Sequence, residues 1–134
     1  MKKLLALLLL SPVLVSEELK LTCEAGPQIW FISLRLDGTE ASYFQHNIPY
    51  TDSPEMLTPE LINKSIFEEK NLFDKYWIYP SYLKFKDTNR IRKGGTVNIA
   101  INRLTLKGRI GQSAGELPLA AECFKGFKSY EKKI

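Results

Sequence analysis

Residues 28–45 read QIWFISLRLDGTEASYFQ, and we expect this stretch to decide the fold because it encodes a β-hairpin. The dipeptide Asp37-Gly38 separates two extended runs. Asp-Gly in this position is the strongest short-range hairpin signal, since a type I′ turn requires positive φ at both central residues. A two-residue loop places Leu36 opposite Thr39 and thereby fixes the register of the whole hairpin.

This register assigns the side chains of the hairpin to two faces. The face that we expect to lie in the core carries Trp30, Ile32, Leu34, Ala41 and Tyr43. On the other face Arg35 lies opposite Glu40, a cross-strand charge pair that contributes about a few tenths of a kcal/mol. The pattern therefore predicts an antiparallel strand pair with one face directed into the core.

Extended segments also flank this hairpin, and most of them alternate between apolar and polar residues. They are predicted at residues 18–24, 76–79, 82–93, 96–101 and 119–124. Glycines at 108, 111 and 115 interrupt the chain before the last of these strands. The apolar positions shift after Ile101, which predicts a turn or bulge near Asn102-Arg103.

The segments on either side of Gly94-Gly95 form a second predicted hairpin. We favour a three-residue loop, 93–95, because a two-residue loop would set two arginines opposite inward apolar residues. The inward residues are then Leu83, Phe85, Ile91, Val97, Ile99 and Ile101. The outward residues are Lys84, Lys86, Arg90 and Arg92, and Tyr82 shares their phase.

Cys23 and Cys123 are the only cysteines of the chain, and they occupy inward positions of the first and last predicted strands. We therefore predict a Cys23–Cys123 disulfide, which would close the sheet and remove exposed edges. The chain-entropy model credits a loop of about 100 residues with roughly 4 to 5 kcal/mol. A redox or metal role would need a second cysteine or histidines nearby, so a structural role is favoured.

One short helix is predicted in the long connection after the first hairpin, from about Pro59 to Glu69. Thr58 supplies an N-cap and Pro59 suits the first helical position, with an alternative start at Ser53-Pro54-Glu55. The predicted fold is mainly β: a small antiparallel barrel or closed sandwich with one short helix. We expect residues 17–134 to form a single β-rich domain.

The N-terminal residues 1–16 have the pattern of a secretory signal peptide. A cationic start precedes an apolar run too brief to span a bilayer, and the small Ser16 suits cleavage before Glu17. The alternative, an uncleaved anchor, would need about 17 or more apolar residues. We expect an exported protein, periplasmic or extracellular, whose mature chain has no transmembrane span.

Charge is distributed unevenly along the predicted domain. Acids outnumber bases eleven to five over residues 17–82, whereas bases outnumber acids twelve to four over residues 83–134. This asymmetry indicates either an acidic partner for the C-terminal half or two halves that lie against one another.

A stripe of basic residues is the group of side chains in this sequence whose arrangement suggests a binding surface. It consists of Lys84, Lys86, Arg90, Arg92 and Arg103, which Lys107 and Arg109 could extend. Such a face could contact an anionic surface or an acidic protein. The alternative is that an exposed strand face must simply be polar, and lysine also deters aggregation of sheet edges.

Catalytic and metal patterns are weak in this sequence. His46 is the single histidine, no serine has nucleophile-elbow glycines, and no spacing resembles a zinc or calcium site, so we expect no cofactor. We therefore favour a non-enzymatic binding module for an anionic or protein partner. The first alternative is a hydrolase inhibitor with a protruding loop at Gly108–Gly115, and the second is a small hydrolase with a pocket around His46.

Three short segments resemble those of uncharacterised small exported proteins of bacteria and phages. They are Leu21-Thr22-Cys23, the run from Ile101 to Thr105, and the closing Cys123. That group usually places glycine after the threonine, whereas this chain has Leu106, and the resemblance implies no known activity. The early cysteine and the general plan are also similar to small periplasmic β-barrel lysozyme inhibitors.

Overall fold

The computed structural model describes residues 17–47, 57–69, 75–87, 97–111 and 119–130. The predictions for the signal peptide, for the alternative helix start at 53–55 and for Arg90, Arg92 and the Gly94-Gly95 turn lie outside these residues. The elements in chain order are β1 (Glu18–Ala25), β2 (Gln28–Arg35), β3 (Ala41–Asn47), α1 (Pro59–Glu68), β4 (Lys75–Ile78), β5 (Tyr82–Asp87), β6 (Val97–Asn102), β7 (Lys107–Gly111) and β8 (Leu119–Lys125).

The eight strands form one antiparallel sheet that curves into a nearly closed barrel, which confirms the predicted fold class. The strand order is β3-β2-β1-β8-β7-β6-β5-β4. The end strands approach each other where the Tyr76 hydroxyl lies 2.8 Å from the carbonyl oxygen of Glu40 and 3.3 Å from that of Arg35. Desolvation by burial raises the pKa of Tyr76 above its ordinary value.

The predicted disulfide is confirmed and joins the first strand to the last. Cys23 and Cys123 lie directly opposite each other in the β1–β8 pair, and their sulfur atoms are bonded. Both cysteines are buried. The bond therefore cross-links the two ends of the described chain inside the barrel.

The hairpin at 28–45 has the predicted register but not the predicted turn. Leu34 pairs with Ala41, and Arg35 Nε lies 3.5 Å from Glu40 Oε1. Gly38 has a φ of 84°, but Leu106 is the only non-glycine described residue with positive φ, so a type I′ turn is wrong. Residues 36–39 instead form a four-residue loop between Arg35 and Glu40, in which the Gly38 amide donates to the Arg35 carbonyl oxygen. The Asp37 side chain accepts hydrogen bonds from the Thr39 amide and hydroxyl within this loop.

The barrel interior is filled by the residues whose alternation predicted burial. Those predicted inward and now found at most 4% exposed are Trp30, Ile32, Leu34, Ala41, Tyr43, Leu83, Phe85, Val97, Ile99 and Ile101. In the β5–β6 pair, Val97 lies opposite Asp87. A loop at 93–95 would have placed Val97 opposite residue 91, so the observed register is shifted by four residues. An even shift leaves the described side chains on their predicted faces, so the described inward residues are correct although the register is not. Ile91, also predicted inward, lies outside the described residues.

A second, smaller core lies outside the barrel against β2 and β3. Ile62 and Ile66 of α1 pack on the outward Ile29 and Phe31, and the C-terminal segment adds Phe127 and Tyr130. The helix begins at Pro59 as predicted, with Thr58 accepting a hydrogen bond from the Leu61 amide. No helix among the described residues is long and apolar enough to cross a membrane.

The turn after β6 is confirmed, whereas Gly108 and Gly111 do not interrupt the chain as predicted, and Gly115 lies outside the described residues. The Asn102 side chain accepts hydrogen bonds from the amides of Leu104 and Thr105, and Leu106 has a φ of 61°. Gly108 and Gly111 lie within β7. A Cβ at Gly108 would stand 1.9 Å from the Ala100 carbonyl oxygen, so this glycine permits the close approach of β6 and β7.

Candidate binding face

The candidate site is the outer surface of the β4–β5 hairpin and the adjoining β6–β7 turn, which we call the basic face. It consists of Trp77, Tyr79, Tyr82, Lys84, Lys86 and Arg103. Lys84 and Lys86 alternate with the buried Leu83 and Phe85, so strand geometry directs both lysines away from the barrel. Their outward phase confirms the sequence prediction.

Three aromatic rings stand beside these lysines. Trp77 pairs with Lys84 in the β4–β5 register, and the Lys84 ammonium lies 5.8 Å from the Trp77 ring centroid, within cation–π range. Tyr79 and Tyr82 stack at the end of the hairpin, with ring centroids 4.4 Å apart. These three rings are 36 to 41% exposed, so all three are accessible to a partner.

Arg103 joins the basic face through the backbone of the β4–β5 turn. Its Nη1 donates to the carbonyl oxygen of Tyr79 at 2.8 Å, and its amide donates to that of Ser81 at 2.8 Å. These bonds fix the guanidinium beside the stacked tyrosines. The structure therefore places Lys84 and Lys86 on the outer face of β5 and holds Arg103 at the β4–β5 turn, where it also lines a small cavity with Leu83 and Ile101.

The lysines of the basic face have no carboxylate partner among the described residues. Lys84 and Lys86 form no ion pair within 4.0 Å with any described residue, and Lys107 on β7 forms none either. In contrast, Lys20, Arg35 and Lys128 on the other side each lie within 4.0 Å of a glutamate oxygen. Unpaired cations on one surface create a positive potential that attracts anions.

The aromatic part of the basic face was only partly predicted. Tyr82 was assigned to the outward phase, but Trp77 and Tyr79 were not assigned to any face. The signal that could have found Trp77 is its place between Tyr76 and Ile78, both of which pack against the barrel core. In a strand, the residue between two inward side chains must point outward.

The other candidate sites are the pocket around His46, a metal site and the inhibitor loop. The His46 ring packs edge-on against Phe44 at 4.6 Å, and no group of three potential metal ligands occurs among the described residues. The inhibitor loop expected at Gly108–Gly115 is wrong over its first part, because Gly108–Gly111 pairs with β6 and β8 as a strand, and its remainder lies outside the described residues. None of the known protein families, curated proteins or solved structures matches this chain.

Proposed function

We propose that this protein is an exported, non-enzymatic binding module whose basic face contacts an anionic partner, an acidic protein or an anionic surface. The observation that carries the proposal is the exposed pair Lys84 and Lys86, which forms no ion pair within the described part of the chain. The ammonium of Lys84 also lies beside the Trp77 ring. Export is supported by the Cys23–Cys123 disulfide, since such bonds persist in oxidising compartments.

The two kinds of side chain on the basic face would make different contributions to binding. Exposed cations raise the rate of association with anions. Salt weakens this attraction, because charges are screened beyond about 10 Å at 0.1 M ionic strength. Trp77 and the stacked tyrosines offer rigid apolar area, and tryptophan and tyrosine are enriched among residues that dominate binding energy. The cations would attract the partner over a distance, and the aromatic rings would add short-range contacts once it is bound.

The test measures retention on a heparin column, with heparin as the polyanionic probe. We expect Lys84→Gln/Lys86→Gln to weaken retention about fivefold at low salt, since each exposed charge contributes about 0.5 kcal/mol. The control is Lys64→Gln/Lys125→Gln, which removes the same charge from exposed positions on α1 and β8. Equal losses from both pairs would reduce the effect to net charge and overturn the proposal.

A further inference from the structure

A separate cleft of about 240 Å³ lies between α1 and the outer surface of β1, β2 and β3. Ser33 and Ser42 line it on the strand side, and Asn63 and Phe67 line it on the helix side. This volume is below the usual 300 to 1,000 Å³ of pockets for drug-sized ligands, so it suits a molecule the size of one monosaccharide.

The charged groups around the cleft neutralise one another. Arg35 Nε lies 3.5 Å from Glu40 Oε1, and the Lys20 ammonium lies 4.0 Å from Glu18 Oε1. Two cations and two carboxylates line the cleft, and each has a partner of opposite sign. A charged ligand would have to compete with these pairs, whereas a neutral ligand could use their remaining donors and acceptors.

Two serine hydroxyls supply further polar groups. Ser33 and Ser42 lie opposite each other in the β2–β3 pair, and neither hydroxyl forms a hydrogen bond with any described residue. Ser42 is only 3% exposed, yet no described buried side-chain oxygen is shut off from both solvent and a partner. Its hydroxyl therefore opens into the cleft, where it can both donate and accept.

The helix contributes an apolar surface and an amide to the same cleft. Phe67 is 65% exposed, the most exposed aromatic ring with a described side chain. Asn63 Oδ1 accepts a hydrogen bond from the Lys20 ammonium at 3.1 Å, which leaves its NH₂ group available to a ligand. An aromatic ring beside hydroxyl, amide and ion-paired groups matches a pyranose, whose ring has an apolar face and a rim of hydroxyls.

We infer that this cleft binds one neutral sugar residue. The inference does not depend on the proposed function of the basic face, because the two surfaces share no residue. A zwitterion such as a dipeptide is the less favoured occupant, since its two charges would have to disrupt both ion pairs.

The test is an NMR titration of the ¹⁵N-labelled exported protein with glucose, galactose, mannose and N-acetylglucosamine, with alanyl-alanine as the zwitterionic comparison. At least one sugar should shift the amide signals of Ser33, Ser42 and Asn63, with a dissociation constant on the order of 1 to 10 mM. Ser33→Ala/Ser42→Ala should weaken this binding about fivefold, because sugar hydroxyls lose two partners. Ser81→Ala, on the β4–β5 turn and outside the lining of the cleft, should leave it unchanged.

A second variant keeps the test decisive if the double serine variant folds poorly. Phe67→Ala removes an exposed ring and should weaken sugar binding with little loss of stability. The inference is overturned if no sugar shifts these signals, if alanyl-alanine binds more tightly than every sugar, or if both variants bind as the wild type does. Lys84→Gln/Lys86→Gln should keep full sugar binding, so failure at the basic face and failure at the cleft are distinguishable.

Discussion

The two sides of the barrel exterior differ in what becomes of the outward side chains of their strands. On β2, the outward Ile29 and Phe31 are fully buried because α1 and the C-terminal segment cover them. On β5, the outward Lys84 and Lys86 are exposed. A strand covered on both faces is therefore apolar throughout, as in the run 29–32, whereas a strand with one exposed face alternates.

Charge pairing follows the same division. On the covered side, Lys20, Arg35 and Lys128 each lie within 4.0 Å of a glutamate oxygen. On the exposed side, Lys84 and Lys86 form no ion pair with any described residue. Exposed ion pairs add little stability. The main effect of the pairing on the covered side is therefore to cancel the positive electrostatic potential of the paired cations. Lys84 and Lys86 keep that potential, which is the physical basis for the proposal that the binding surface lies on the exposed side.

The sharpest way to break this comparison is to truncate one aromatic residue on each side. Phe31 is fully buried and contacts the rings of Phe44, Phe127 and Tyr130 at centroid distances of 5.9 to 6.2 Å. Phe31→Ala should lower the free energy of unfolding by about 3 to 5 kcal/mol. Trp77→Ala should cost only about 1 kcal/mol, because its ring is partly exposed. Urea unfolding measures both, and equal losses would contradict the division.

Backbone packing gives a second comparison, between Gly108 and Gly38. Gly108→Ala places a Cβ 1.9 Å from the Ala100 carbonyl oxygen, and the resulting shift of β6 and β7 should cost about 3 kcal/mol. Gly38 has open space around it and only its positive φ resists alanine, so Gly38→Ala should cost about 1 kcal/mol. If thermal unfolding ranks Gly38→Ala as the more damaging change, the close approach of β6 and β7 is not a constraint on the fold.

The features that could be predicted from the sequence are those controlled by the alternation of apolar and polar residues and by local chemistry. The inward residues, the disulfide, the helix start and the turn at Asn102 all follow from patterns of a few neighbouring residues. The outer core was missed because covering Ile29 and Phe31 depends on where α1 packs, which is a tertiary event. Strand β7 was missed because Gly108 resembles a break, although the glycine is required by the neighbouring strand. The type I′ turn was wrong because the Asp37 side chain stabilises a different turn.

The smallest expected effect concerns the hydroxyl of one tyrosine on each side. Tyr130 on the covered side donates to Glu24 Oε2 at 2.6 Å, and burial, followed by this bond to a carboxylate, raises the pKa of Tyr130 above its ordinary value. Tyr130→Phe should cost about 1 kcal/mol, measured by urea unfolding near neutral pH. Tyr82→Phe, on the exposed side, should cost less than about 0.5 kcal/mol.

The pH dependence of this difference has a definite sign. Because the pKa of Tyr130 is higher in the folded state, the folded protein holds that proton more tightly than the unfolded chain does. The stabilisation is therefore complete below the unfolded pKa of about 10 and is lost as pH rises through the folded value. The stability gap between the wild type and Tyr130→Phe should shrink as pH is raised above about 10, while Tyr76 titrates in both proteins and cancels. A gap that stays constant or widens over that range would show that the folded protein does not hold the Tyr130 proton more tightly than the unfolded chain does.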